Sequence, residues 1–133
     1  MTTNQIVNEV YKYNKLYASK ELTKKYSKKW FKEVSNEGNL ICISDDQVKA
    51  WACAYIFKDY PKIVNLSILG VNPLYLHKGY GIKVVKKFLD NFKNKLIVLN
   101  VNNTNLHAIS FYKKMGFKIV KNLKNNILMK YEN

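Results

Sequence analysis

The stretch Leu74-Tyr75-Leu76-His77-Lys78-Gly79-Tyr80-Gly81-Ile82-Lys83-Val84-Val85 sets two glycines one residue apart between a strand-like run and a helix-like one. Upstream, Ile63 to Val71 is aliphatic and β-prone, and Asn72-Pro73 ends it. Beyond Gly81 the period changes, with Val84, Val85, Phe88, Leu89 and Phe92 recurring at helical spacing. Strand, glycine-containing loop and helix N-terminus, in that order, form an anion site. The first N–H groups of a helix have no internal partner, and the helix dipole adds partial positive charge there. The loop would offer the N–H groups of His77, Lys78, Gly79, Tyr80, Gly81 and Ile82, with the Lys78 and Lys83 ammonium groups nearby. Taken alone, the stretch also reads as a tight turn that merely needs glycine. It is not a Walker loop, which requires GxxxxGK[ST]. Nor is it the dinucleotide fingerprint, which needs a third glycine and an acidic residue further on.

Working outward, the first third of the chain is helical in pattern. Ile6, Val10, Tyr13 and Tyr17 share one spacing, and Leu22, Tyr26, Trp30 and Val34 another, with Asn36-Glu37-Gly38-Asn39 as a stop. Leu40 to Ile43 and Val48 to Phe57 predict a hairpin around Ser44-Asp45-Asp46-Gln47. Its second strand alternates Trp51, Cys53, Tyr55 and Phe57 with Ala50, Ala52, Ala54 and Ile56. Asp59-Tyr60-Pro61 is a loop. After the glycine turn come a helix, a strand over Lys95 to Val101, a helix from Asn105 to about Met115, and strands at Phe117–Val120 and Ile127–Tyr131. A strand, a helix and a following strand joined this way pair in parallel.

At 133 residues, with no repeat, linker or break in composition, the chain predicts one domain, 1–133, able to bury a core without disulfides. Cys42 and Cys53 fall in apolar strands and read as buried thiols. With His77 and His107 they make no zinc spacing, so no metal is expected. No run approaches a membrane span, and the N-terminus has no basic region before an apolar core, so a soluble, cytoplasmic protein is expected. The net charge of +14 suggests nucleic acid, but all 23 basic residues are lysines. Base readers lean on the arginine fork, and the lysines here are spread along the chain among many asparagines. A solvated lysine surface, with no specific nucleic-acid partner, is the expectation.

A second stretch gives the glycine turn its meaning. Asn105-Leu106-His107-Ala108-Ile109-Ser110-Phe111-Tyr112-Lys113-Lys114-Met115-Gly116-Phe117 follows about 24 residues after Gly81, with a strand between. Together, Val71, Pro73, Tyr75, Gly79 and Gly81, then Asn105, Ala108, Phe111, Tyr112, Gly116 and Phe117, resemble the two motifs of the GCN5-related N-acetyltransferase (GNAT) family. The resemblance covers about Asn65 to Val120. It implies an α/β (α+β) fold with a mixed, mostly antiparallel sheet flanked by helices. The implied activity is transfer of an acetyl group from acetyl-CoA, as co-substrate, to an amine by direct attack.

The resemblance also implies a division of labour. The loop His77–Ile82 would cradle the CoA pyrophosphate. The strand at Leu69, Gly70 and Val71 would pair with the pantetheine arm in a splay beside the following strand, with an N–H near Leu69 steadying the thioester oxygen. Asn105 would cap its helix and reach the arm. Tyr112 would point at the sulfur as acid or hydrogen-bond donor, the other reading being a core aromatic, because Phe111 and Tyr112 are not expected both to face the core. His107 is left as surface. Two positions depart from the family pattern. Leu76 stands where Gln or Arg is usual, which removes a side-chain contact. Asn65 and Ser67 stand where many members carry a catalytic Glu, and neither is basic; proton loss to water, or a carboxylate such as Asp59, would have to serve. Trp30, Tyr26, Trp51 and Tyr60 are candidates to line the acceptor pocket. A small-molecule amine, an amino sugar being one candidate, is the expected acceptor. A protein amine and a CoA-binding protein without catalysis remain the alternatives, and the chain is expected to act as monomer or homodimer.

Overall fold

The computed structural model describes residues 1–16 and 25–133. Tyr17 and Leu22, which the helical spacing includes, lie outside them. Helix α1 (Thr3–Lys15) opens on a reciprocal cap: the Thr2 hydroxyl accepts from the Gln5 N–H, and Gln5 Oε1 accepts from the Thr2 N–H. Its buried stripe is Val7, Val10 and Tyr13. Helix α2 (Lys28–Asn36) begins later than the sequence spacing suggests, because Ser27 caps it by accepting from the Trp30 N–H at 3.1 Å. Tyr26 therefore precedes the helix, Phe31 and Val34 take the buried positions, and Trp30 is half-buried beside them. The stop falls where expected, with the N–H groups of Gly38 and Asn39 turning back onto the carbonyls of Ser35 and Val34.

The chain then runs β1 (Leu40–Ser44), β2 (Val48–Ile56), β3 (Ile63–Val71), α3 (Tyr80–Asn91), β4 (Leu96–Asn102), α4 (Leu106–Lys114), β5 (Lys118–Asn122) and β6 (Asn126–Glu132). These strands form one sheet in the order β1-β2-β3-β4-β6-β5, parallel only between β3 and β4. The last strand inserts between β4 and β5, an order the linear pattern leaves open.

Alternation along β2 divides the core. Trp51 and Cys53 face α1 and α2 in one cluster, while Ala50, Ala52 and Ala54 face α3 in the other. The alanines let α3 lie close, so Val84, Val85 and Phe88 are fully buried against the sheet; burying a side chain such as Phe88 contributes about 1.5–3 kcal/mol. Opposite them, β3 carries a bulge: Cys53 faces Ile68 and Ala54 faces Leu66, leaving Ser67 as the extra residue. The bulge changes which positions face α3 and α4, from Val64 and Leu66 before it to Leu69 and Val71 after it.

Both cysteines are free thiols, Cys53 buried and Cys42 half-buried. Burial pushes the Cys42 thiol up to about 12, against a smaller lowering from Lys87, and pushes Cys53 well up. Neither supplies a thiolate near neutral pH. Among the described residues, no helix is long and apolar enough to cross a membrane, and no group of three His, Cys, Asp or Glu side chains could hold a metal ion.

Candidate active site

The site begins where two neighbouring strands separate. β3 and β4 pair only through Ile63–Leu96, Val64–Ile97 and Asn65–Val98. After that β3 stays with β2 as far as Val71, and β4 stays with β6 as far as Asn102. A bulge adds local twist, and the Ser67 bulge lies just past the last shared pair. The result is a forked cleft of ≈ 780 Å³, within the range of small-molecule and cofactor sites. Leu69, Gly70 and Val71 form one wall, and Asn100, Val101 and Asn102 the other.

The wide end is closed by the glycine turn and α3. Gly79 is the N-cap of α3 with φ 83°, a left-handed conformation that favours glycine, and no side chain caps the helix. The first helical hydrogen bond runs from the Lys83 N–H to the Gly79 carbonyl. The N–H groups of Tyr80, Gly81 and Ile82 therefore lie ahead of any intrahelical bond, and all three residues line the cleft, as do His77 and Gly79. Lys78 does not. Its Nζ lies 5.8 Å from the Tyr75 ring centroid, while Lys83 sits 5.0 Å from the Tyr80 centroid and Lys49 within 5.3 Å of both. Tyr75 and Tyr80, edge to face at 5.7 Å, thus stand among three ammonium groups, of which Lys49 is already paired with the Asp45 carboxylate. Lys49, distant in sequence, is the member that the motif does not reveal.

Helix α4 supplies the other side. Asn105 caps it, its side chain accepting from the Ala108 N–H at 3.1 Å, and Asn105 lines the cleft. Phe111 and Tyr112 both line the cleft and both pack on the α3/α4 core, against the expectation that only one of them could. The α4 face toward the core is broad enough for consecutive aromatics because Tyr112 leans on Phe111 at 5.4 Å and on Phe117 at 5.5 Å. Burial raises the Tyr112 phenol to about 12. His107, read as surface, is exposed but stands on the cleft wall, as does exposed Leu76.

Asn65 and Ser67 are half-buried at the narrow end, outside the cleft lining. The Ser67 hydroxyl donates to Asn65 Oδ1 at 2.6 Å, and the Asn65 amide donates to the Val98 carbonyl at 3.4 Å. Asp59 and Tyr60 are in the exposed turn between β2 and β3, away from the cleft wall. Trp30 lines a separate cavity of ≈ 230 Å³ with Glu33, Glu37 and Tyr55. Trp51, by contrast, reaches the main cleft from the α1 side, together with Asn14.

The acetyltransferase (GNAT) family model matches residues 5–117, so the chain belongs to the GNAT acetyltransferase family. Fold and family together define its class, that of the N-acetyltransferases. Among solved structures it is similar to Arabidopsis thaliana Naa50 in complex with the bisubstrate analogue CoA-Ac-MVNAL, with 20% identity and a TM-score of 0.78 over 99% of this chain and 95% of that one. It is also similar to the PaiA N-acetyltransferase of Thermoplasma acidophilum in complex with coenzyme A, at 21% identity and TM-score 0.68, covering 98% and 90%. A third is the ribosomal-protein-S18-alanine N-acetyltransferase of Escherichia coli, at 18% identity and TM-score 0.74, covering 98% and 88%. At these identities the likeness is one of fold.

Proposed function

We propose that this protein transfers an acetyl group from acetyl-CoA to a primary amine, and that the cleft between β3 and β4 holds the CoA. The observation that carries the reading is Gly81. A Cβ built there would meet nothing closer than Val71 Cγ2 at 3.6 Å and Phe111 Cζ at 3.8 Å, ordinary contacts. The fold does not require glycine at this point, and helices are more stable with alanine. What the missing side chain leaves is bare backbone against Val71 and Phe111, both of which line the cleft, so a pyrophosphate can approach the unbonded N–H groups of α3 closely. Gly79 answers the turn; Gly81 answers the ligand.

Acetyl-CoA supplies an activated thioester. Backbone N–H groups from His77 to Ile82, with Lys78 and Lys83, hold the diphosphate. The free edge of β3 at Leu69, Gly70 and Val71 aligns the extended arm, and an N–H near Leu69 stabilises the oxygen as it gains charge. Tyr112 keeps its proton at neutral pH. An ordinary thiol has a pKa of about 8.5, so full proton transfer from a phenol at about 12 to the departing thiolate is uphill. Tyr112 therefore serves as a hydrogen-bond donor to the sulfur as it leaves, and the thiolate takes up, through solvent, the proton that the attacking nitrogen loses. Asn65 and Ser67, hydrogen-bonded to each other outside the cleft lining, take no proton, so on this reading the amine enters neutral or loses its proton to solvent.

The acceptor we infer is a small-molecule amine, amino sugars being the class to try first. A second reading, a peptide α-amine, is favoured by the peptide-bearing analogue on Naa50 and by the S18-alanine enzyme sharing this fold. The test is a panel of amino sugars, diamines and short peptides with acetyl-CoA, following thiol release and the mass of the acceptor. Acetylated amino sugar supports the first reading, and acetylated peptide replaces it with the second. CoA binding without turnover of any amine overturns the catalytic claim in favour of a CoA-binding protein.

A further inference from the structure

Trp51 is fully buried on β2, yet it stands at the cleft. The indole edge carrying Nε1, Cε2 and Cζ2 lies across Gly70, where a Cβ would come within 2.3 Å of Cζ2 and 2.7 Å of Nε1. Among the described residues, Nε1 is the one buried side-chain polar atom with no hydrogen-bond partner. Native proteins seldom leave such a donor unmatched. The neighbouring Tyr13 ring does not serve: it stacks on the indole at 22°, and an N–H lying in the indole plane cannot point at a nearly parallel face. Gly70 itself belongs to the part of β3 that has no β4 partner.

We propose that the Trp51 Nε1–H is a hydrogen-bond donor to the ligand in the cleft, and that its partner is an amide carbonyl of the CoA pantetheine arm. The inference rests on the CoA reading above. An arm extended along the free edge at Leu69, Gly70 and Val71 passes beside the indole, and it carries amide carbonyls. Position favours the arm over the acceptor as partner: the indole edge lies against Gly70, on the stretch of β3 along which the arm would run. An indole N–H donates and cannot accept, and an amide carbonyl accepts. Trp51 thus supplies from the α1 side of the sheet a contact that the backbone of β3 cannot, and Gly70 is the position that lets the indole edge come so close. Trp51 is a binding and positioning residue for the arm, not a catalytic one.

The test compares CoA with adenosine 3′,5′-bisphosphate, which lacks the arm, by calorimetry on the wild type and on Trp51→Phe. Losing one such hydrogen bond should weaken CoA binding roughly tenfold while leaving the bisphosphate unchanged. The chain has two tryptophans, so ¹⁵N-indole spectra of the wild type contain two side-chain signals, assigned with Trp30→Phe. The Trp51 signal should move downfield with CoA and stay in place with the bisphosphate, a result that needs no folded Trp51 variant. If the wild type binds CoA but Trp51→Phe binds it equally well, or the Trp51 signal does not move, this proposal falls alone. If the wild type binds no CoA, the proposal and the CoA reading fall together.

Discussion

Asn65 of β3 pairs with Val98 of β4, and beyond that pair the two strands share no partner. Everything assigned to the site depends on this parting. From Leu66 to Val71 the β4-facing edge of β3 has no strand partner. Hydrogen exchange of the peptide covering Leu66 to Val71 should slow on adding CoA, while Ile63 to Asn65, already paired, should not change. Equal slowing of both segments would indicate general stabilisation without strand-like pairing of the arm.

Tyr112 gives a kinetic prediction and a pH prediction. Tyr112→Phe removes the donor to the sulfur and keeps the ring packing on Phe111 and Phe117, so kcat should fall about 10²-fold, as when one transition-state hydrogen-bond donor is lost, with little change in the KM for acetyl-CoA. Its folded-state pKa of about 12 lies above the unfolded value of about 10. The native state therefore holds this proton more tightly, and the associated stability is complete below pH 10 and lost as pH rises toward 12. Denaturant melts of wild type and Tyr112→Phe across that range should show a shallower alkaline decline in the variant.

Gly70→Ala forces a methyl into the Trp51 indole, 2.3 Å from Cζ2. Overpacking of this kind costs about 1–3 kcal/mol. The variant should melt earlier, and adding Trp51→Phe should recover part of the loss. Strict additivity of the two changes in a double-mutant cycle would contradict the contact.

The Trp51–Gly70 contact also marks where sequence reading stops. The helix after the glycine turn, the cap at Asn105 and the parallel β3–β4 pair are local or motif-borne, and each is legible from spacing. The fork could be expected only through the family resemblance, since nothing in Ile63–Val71 by itself says where pairing ends. Ser67 as a bulge depends on how β3 registers on β2. Lys49 beside Tyr75 and Tyr80, and Trp51 across Gly70, depend on that pairing too. The late start of α2 was written in the sequence as Ser27, but the apolar spacing of Tyr26 and Trp30 competed with it. Phe111 and Tyr112 side by side follow from Phe117, which packs behind Tyr112 from beyond the helix end.

Asn65 and Ser67 stand where a carboxylate is usual, and neither side chain can take the amine proton. The rise of kcat/KM with pH should therefore follow the acceptor, and two acceptors of different amine pKa should show limbs displaced by that difference. Asn65→Ala should leave the limb in place. A limb at one pH for both acceptors would mean that a protein base exists and that this account of the narrow end is wrong.

The most direct measurement is a thermal-shift titration with acetyl-CoA, with CoA, ATP and NAD as comparisons. A ligand at 100 times its Kd stabilises the native state by about 2.7 kcal/mol. Acetyl-CoA and CoA should both stabilise the protein, saturating with concentration, and ATP and NAD should not. No response to acetyl-CoA, or a response that ATP reproduces, would contradict the CoA reading.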